Sequence, residues 1–101
     1  MTVVVTNDVA SRTRGFLASC MLEVAPGVYT SPKLTAAVRE RIWTVLVEWH
    51  GRWPGGSVLM TWPDAAAQGG QALRVIGLPQ KLLVDHDGVI LACRPRVSED
   101  A

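Results

Sequence analysis

Residues 2–15, TVVVTNDVASRTRG, carry the strongest signals of the fold. The valines at 3–5 are β-branched and do not alternate with polar residues, which predicts a strand covered on both faces and therefore central in its sheet. Polar side chains at 6–8 mark the end of that strand. Ser11 then provides a good N-cap, which predicts a helix over residues 12–21. The stretch thus predicts a central strand that leads through a polar corner directly into a helix.

Length and composition indicate a small single domain that has a partner. The chain has 101 residues, and a domain of this size buries only about two thirds of its unfolded surface. Yet 49% of the residues are hydrophobic and four are tryptophan, which is more apolar surface than so small a core hides easily. We therefore expect a second subunit. The formal net charge of +1 gives no overall attraction to nucleic acid or membranes, so any such binding must depend on where individual charges lie.

The cysteines and the N-terminus indicate the compartment. Cys20 and Cys93 form no CxxC motif and have no metal-ligand spacing, which favours reduced thiols over a disulfide or a zinc site. The N-terminus lacks a basic segment followed by an apolar one, and no apolar run is long enough to span a membrane. We expect a soluble, cytoplasmic protein with no membrane partner.

The rest of the chain alternates extended and helical segments separated by turn residues. The segments are a hairpin over 22–31, a helix over 32–50 opened by Ser31-Pro32 and closed by Gly51, a strand over 57–62, an extended run over 71–76 and a hairpin over 82–92. The order strand, helix, strand, strand, helix, strand predicts an α+β, ferredoxin-like βαββαβ sandwich with a C-terminal β extension. We expect one domain over residues 1–97 and a flexible tail over 98–101.

Both predicted helices have an apolar face for the sheet. The face of the first helix consists of Phe16, Leu17, Cys20 and Met21, and that of the second consists of Leu34, Val38, Ile42, Val45, Leu46 and Trp49. Trp43 and Val47 point roughly opposite the second face and so are not expected in the same core. They are either part of a subunit interface or ordinary exposed apolar residues.

Arg12 and Arg14 lie in the first turn of the first predicted helix. Cations are unfavourable there, because the helix dipole places its positive end at the N-terminus. The arginines are therefore either solvated surface charges with apolar stems or part of an anion site. Free N–H groups and guanidinium groups at one helix start together suit a phosphate.

Asp8, at the end of the first strand, is the acid best placed to hold a divalent cation. A hard cation such as Mg²⁺ needs carboxylate oxygens, supplemented by water or phosphate, and in a two-fold dimer Asp8 could face its symmetry mate. The alternative is an Asx turn that leads toward Ser11. His50 and His86 are not accompanied by a nucleophile motif, so no catalytic triad is predicted.

The motifs of this chain resemble those of a known family. VVVT, RxRG, LEVxxGVY, RExIW and VDxDG occur in this order with nearly family spacing, from Val3 to about Val97. They resemble the type I-E form of CRISPR-associated protein 2, the small partner of the spacer-acquisition integrase. The resemblance covers nearly the whole chain.

The resemblance implies a DNA-binding scaffold for CRISPR adaptation. The family forms a ferredoxin-like homodimer that bridges integrase subunits and holds duplex DNA, and Arg12 and Arg14 match its basic pair that contacts the DNA backbone. This chain has fewer basic residues at the other positions of that surface, since Ala25 and Ala37 stand where relatives can have basic residues. Lys33, Arg39 and Lys81 are the candidates that compensate. The strand over 89–94 resembles the segment that docks on the integrase subunit.

The resemblance also implies an alternative function. The wider family is described as magnesium-dependent endonucleases that act on RNA or double-stranded DNA through an acid at the end of the first strand. The type I-E pattern has an acid followed by Asn, whereas this chain has Asn7 followed by Asp8. Asp8 is thus the candidate ligand for Mg²⁺, and the DNA-scaffold role does not depend on it.

Overall fold

In a computed structural model of the chain, the described residues are 1–77, 82–86 and 89–93. The elements are β1 (Thr2–Asn7), α1 (Ser11–Cys20), β2 (Leu22–Ala25), β3 (Val28–Ser31), α2 (Ala36–Arg52), β4 (Ser57–Pro63), β5 (Gln71–Ile76), β6 (Leu82–His86) and β7 (Val89–Cys93). The predicted order of strands and helices is confirmed, including both hairpins. Lys81 and residues 94–101, which include the predicted flexible tail, lie outside the described residues.

The first five strands form one antiparallel sheet in the order β2-β3-β1-β4-β5, and β6 pairs with β7 in a separate two-stranded sheet. The strand β1 lies in the middle, with Val4 opposite Tyr29 of β3 and Met60 of β4. Its predicted central position is therefore confirmed. Two helices and an antiparallel sheet in this order make a small α+β domain that is compatible with the ferredoxin-like fold.

One face of the sheet packs against both helices and forms the core. The buried apolar residues are Val4, Leu17, Met21, Tyr29, Ile42, Leu46, Val58, Met60 and Trp62. They come from β1, β3, β4 and both helices, so α1 and α2 cover the same face. Residues directly opposite each other on neighbouring strands share a face, which is why Val4, Tyr29 and Met60 meet.

The other face of the sheet is apolar and carries neither α1 nor α2. We call it the open face, and its apolar members are Val3, Val5, Val28, Leu59, Leu73 and Val75. Within the single chain Val3 is half-buried and Val5 is 39% exposed. The prediction that the central strand is covered on both faces is therefore wrong for one chain, because the helices cover only one face.

Both helix starts differ from the prediction. The helix α1 begins at Ser11, and Ala10 is its N-cap without a side-chain hydrogen bond. The helix α2 begins at Ala36 rather than after Ser31-Pro32, because Ser31 is still paired with β1. Thr35 is the true N-cap, and its hydroxyl accepts a hydrogen bond from the Val38 backbone N–H at 3.2 Å.

The end of α2 and the predicted helix faces also need correction. Gly51 lies inside α2, which continues to Arg52. Cys20 and Val38 are exposed rather than buried, and Trp43 packs against the core although the pattern predicted the opposite. Val47 is 49% exposed, as expected. Neither described helix is long and apolar enough to cross a membrane.

Candidate nucleic-acid interface

The first turn of α1 carries two exposed cations. The side chains of Arg12 and Arg14 are exposed, and neither forms an ion pair with any residue that the structure describes. The turn contains no acidic residue. The backbone N–H groups of Thr13 and Arg14 already donate to the Ala10 carbonyl, at 3.0 and 3.2 Å. The positive end of the helix dipole and two exposed cations therefore lie within one helical turn, where the two side chains, two residues apart, point to different sides of α1.

Arg12 is held against an aromatic side chain from the other helix. Its guanidinium carbon lies 5.1 Å from the ring centroid of Trp53, the C-cap residue of α2. The Arg52 guanidinium lies 5.9 Å from the same ring. Trp53 is 37% exposed, so this cation–π contact is at the surface.

The spacing of residues on the two helices explains this contact. Phe16 lies one turn after Arg12 on α1, and Trp49 lies one turn before Trp53 on α2. The rings of Phe16 and Trp49 are 5.3 Å apart, and those of Trp49 and Trp53 are 6.0 Å apart with their planes nearly perpendicular. Trp49 and Phe16, both half-buried, thereby support Trp53, which in turn contacts Arg12.

Arg14 has different surroundings. It lines a shallow pocket of about 220 Å³ together with Ser11, Gly15, Ala18, Glu23 and Tyr29. Burial raises the pKa of Tyr29, the Glu23 carboxylate raises it further, and the positive charge of Arg14 opposes this rise. The buried Tyr29 hydroxyl has no hydrogen-bond partner of acceptable geometry among the described residues, so Glu23 acts on it mainly as a nearby charge.

Arg39 and Lys33 lie at the opposite end of α2 from Trp53. Arg39 is half-buried, and its guanidinium lies 4.3 Å from the ring centroid of Trp62. Fourteen residues of helix separate Arg39 from Trp53, which corresponds to roughly 20 Å. Lys33 precedes α2 and is exposed. The structure therefore places Arg12 and Arg14 in the same helical turn with different neighbours and separates Arg39 from both, and Lys81 lies outside the described residues.

Asp8 follows β1 immediately and is exposed. It is the one non-glycine residue with a positive φ, 57°, among the described residues. Its carboxylate accepts no hydrogen bond from the described part of the chain, so the Asx turn toward Ser11 is not formed there. Because Asp8 has left the strand, strand alternation does not set the direction of its side chain.

One chain provides few ligands for a magnesium ion at Asp8. Residues 1–77 contain no group of three His, Cys, Asp or Glu side chains that could hold a metal. Mg²⁺ prefers about six oxygen ligands, of which water and phosphate can supply several. The Asp8 carboxylate could fill one position in such a shell, and the described residues place no pair of further His, Cys, Asp or Glu side chains beside it.

Sequence reasoning did not identify Trp53 or Arg52 as part of this surface. Both lie between the helix predicted over 32–50 and the strand predicted over 57–62, outside either predicted element. The available signal was a basic residue next to an aromatic one, with Trp49 one helical turn earlier. The contact with Arg12 itself depends on how the two helices pack, which the sequence pattern does not reveal.

The fold and this surface together define a small α+β domain with a cationic helix start. A protein-family model described as CRISPR-associated protein (Cas_Cas2CT1978) matches residues 1–91. The chain belongs to this family. The match confirms the resemblance to CRISPR-associated protein 2 that the sequence motifs indicate, and a CRISPR-related role follows from it.

Proposed function

We propose that this protein is a dimeric, non-catalytic scaffold that binds duplex DNA in the CRISPR adaptation complex. The observation that carries this proposal is the exposure of Arg12 and Arg14 in the first turn of α1, where neither has an ion-pair partner among the described residues. Positive charge at this position opposes the helix dipole, and a bound phosphate would offset that cost. The family match supports the CRISPR context.

The mechanism is electrostatic positioning of the DNA backbone. Guanidinium groups donate paired hydrogen bonds to phosphate oxygens, and the N–H groups of the helix start add to the same field. Such contacts fix the position of a duplex but carry no sequence information. This property suits a complex that must accept DNA of any sequence.

The open face supports the dimer. It places apolar side chains on the central strands, and Val5 is 39% exposed in the single chain. Contact with the same face of a second copy would remove this apolar surface from water and give an isologous interface. The strand β7 pairs with β6, and its second edge is the candidate site for strand addition by the integrase subunit.

Duplex binding at several salt concentrations tests the DNA role. We expect Arg12→Ala plus Arg14→Ala to weaken binding and to reduce the slope of log K against log salt by about 0.9 for each lost phosphate contact. Arg41→Ala is the matched control, because Arg41 is an exposed arginine in the middle of α2. If the double variant captures DNA and supports spacer integration with the integrase as well as the wild type, the proposal is wrong.

The dimer is tested separately. Val5→Lys places a charge on the open face, and we expect it to shift the protein toward monomers in analytical ultracentrifugation. Val47→Lys is the control, since Val47 is exposed on α2, away from the open face. Dissociation by Val47→Lys but not by Val5→Lys would place the interface on the helical side instead.

A second candidate function is a magnesium-dependent endonuclease for RNA or double-stranded DNA that uses Asp8 from both subunits. The left-handed backbone and free carboxylate of Asp8 favour it, because strained residues cluster at functional sites. The ion would activate water for hydrolysis, and Asp8 would help to hold the ion. Cleavage that survives Asp8→Ala or persists in a chelator would exclude this function.

A further inference from the structure

Arg12 and Arg14 are close in sequence, but only one of them is held in place by a ring. The guanidinium carbon of Arg12 lies 5.1 Å from the centroid of the Trp53 ring, whereas none of the cation–π contacts within residues 1–77 involves Arg14. An exposed arginine has many rotamers, and ordering it costs conformational entropy. The two arginines therefore differ in how much of that cost remains when a ligand binds.

The cation–π contact leaves hydrogen-bonding capacity of Arg12 available. A guanidinium group carries several N–H donors, and a ring supplies them with no oxygen acceptor. No carboxylate among the described residues occupies those donors. Trp53 is itself fixed by Trp49, whose ring contacts Phe16 of α1. A rigid aromatic surface thus lies beneath a cation whose donors are free.

We propose that Trp53 is a positioning residue that orders the Arg12 guanidinium for contact with a phosphate of duplex DNA. This inference rests on the proposed DNA-binding function and extends it to a residue outside the basic pair. Arg52, whose guanidinium lies 5.9 Å from the same ring, adds a second positive charge to this position. Trp53 carries no charge and makes no phosphate contact of its own.

A double-mutant cycle on duplex affinity tests this role. We expect Trp53→Leu to weaken binding about two- to five-fold, which corresponds to an exposed cation–π contact. The salt slope should stay at the wild-type value, because no phosphate contact is removed, whereas Arg12→Ala should reduce it by about 0.9. A merely structural role for Trp53 would not produce this separation.

The combinations identify which arginine Trp53 acts through. Trp53→Leu should have little further effect in an Arg12→Ala background but its full effect in an Arg14→Ala background, because coupled residues are non-additive and independent ones are additive. Trp53→Phe keeps a ring and should retain part of the affinity. Thermal unfolding of each variant confirms that it is folded, and if Trp53→Leu does not fold, Trp53→Phe takes its place in the cycle.

Three results would overturn the inference. Wild-type affinity for Trp53→Leu shows that the ring has no role, and full additivity with Arg12→Ala shows that Trp53 does not act through Arg12. Both leave the proposed function intact, because the wild type still binds duplex in a salt-dependent manner. Absence of such binding by the wild type removes the proposed function and this inference together.

Discussion

Gly56 lies against the backbone of Asp8, the candidate metal ligand. Replacing Gly56 with alanine should be strongly destabilising. Its φ is +73°, and a Cβ at this position would collide with the backbone carbonyl oxygens of Asn7 and Asp8. The glycine lies just before Ser57, which pairs with Asn7 where β1 ends. The close approach thus occurs between two backbone segments rather than against a flexible side chain.

The expected magnitude has three parts. Alanine in the left-handed region costs about 1–2 kcal/mol, and forcing an extra carbon against backbone typically costs about 1–3 kcal/mol. The reduced entropy of the unfolded chain offsets about 0.4–1 kcal/mol. We therefore expect Gly56→Ala to lower the free energy of unfolding by about 1–5 kcal/mol, a large part of the total of about 5–15 kcal/mol for a typical domain.

Gly70 provides a matched control. Its φ is +72°, nearly the same as that of Gly56, but a Cβ there would meet no atom within 4 Å. Gly70→Ala should therefore lose only about 1 kcal/mol, from backbone strain alone. Thermal unfolding distinguishes the two variants, since each kcal/mol corresponds to about 4–8 °C in a domain of this size. Equal midpoints for both variants would refute the predicted collision.

Two further predictions concern buried and helical positions. Burial raises the pKa of Tyr29, the single tyrosine. The contribution of its protonated hydroxyl to the free energy of unfolding should therefore be complete below about pH 10 and lost as the pH rises toward the folded-state pKa. Urea midpoints between about pH 8 and 11 should fall less for Tyr29→Phe than for the wild type, and parallel curves would contradict this. Gly15 and Gly51 lie inside helices with open space around them, so alanine at either should raise the free energy of unfolding by about 0.5–1 kcal/mol in chemical denaturation. A loss of stability would show that one of these glycines is needed in the helix.

Local patterns predicted the order and placement of the strands. The valine run correctly indicated the central strand, and the hairpin predicted over 22–31 is the pair of β2 and β3. Both signals depend on interactions between residues that are near in sequence, such as turn geometry and side-chain shape. The start of α2 was wrong because pairing of Ser31 with Thr2 extends β3 through the residues that resemble a helix start.

The candidate site could be predicted only in part, for the same reason. The position of Arg12 and Arg14 in a first helical turn could be predicted, because a helix start is recognised from residues near in sequence. The Arg12–Trp53 contact joins residues that are far apart in sequence, and it requires the helices to pack side by side. The pattern also could not show that Arg39 stacks on Trp62 rather than projecting freely from α2.

The scaffold hypothesis and the nuclease hypothesis require different groups from a single chain. A backbone-binding surface needs exposed cations whose donors are free, and Arg12 and Arg14 meet this condition within a single turn of α1. A magnesium centre needs several oxygen ligands around one ion, and residues 1–77 supply no cluster of this kind near Asp8. Under the scaffold hypothesis each subunit supplies its own phosphate contacts, whereas the nuclease hypothesis uses Asp8 from both subunits and therefore depends on a dimer that brings the two side chains together. A dimer through the open face that keeps the two Asp8 residues apart would retain the first activity and eliminate the second.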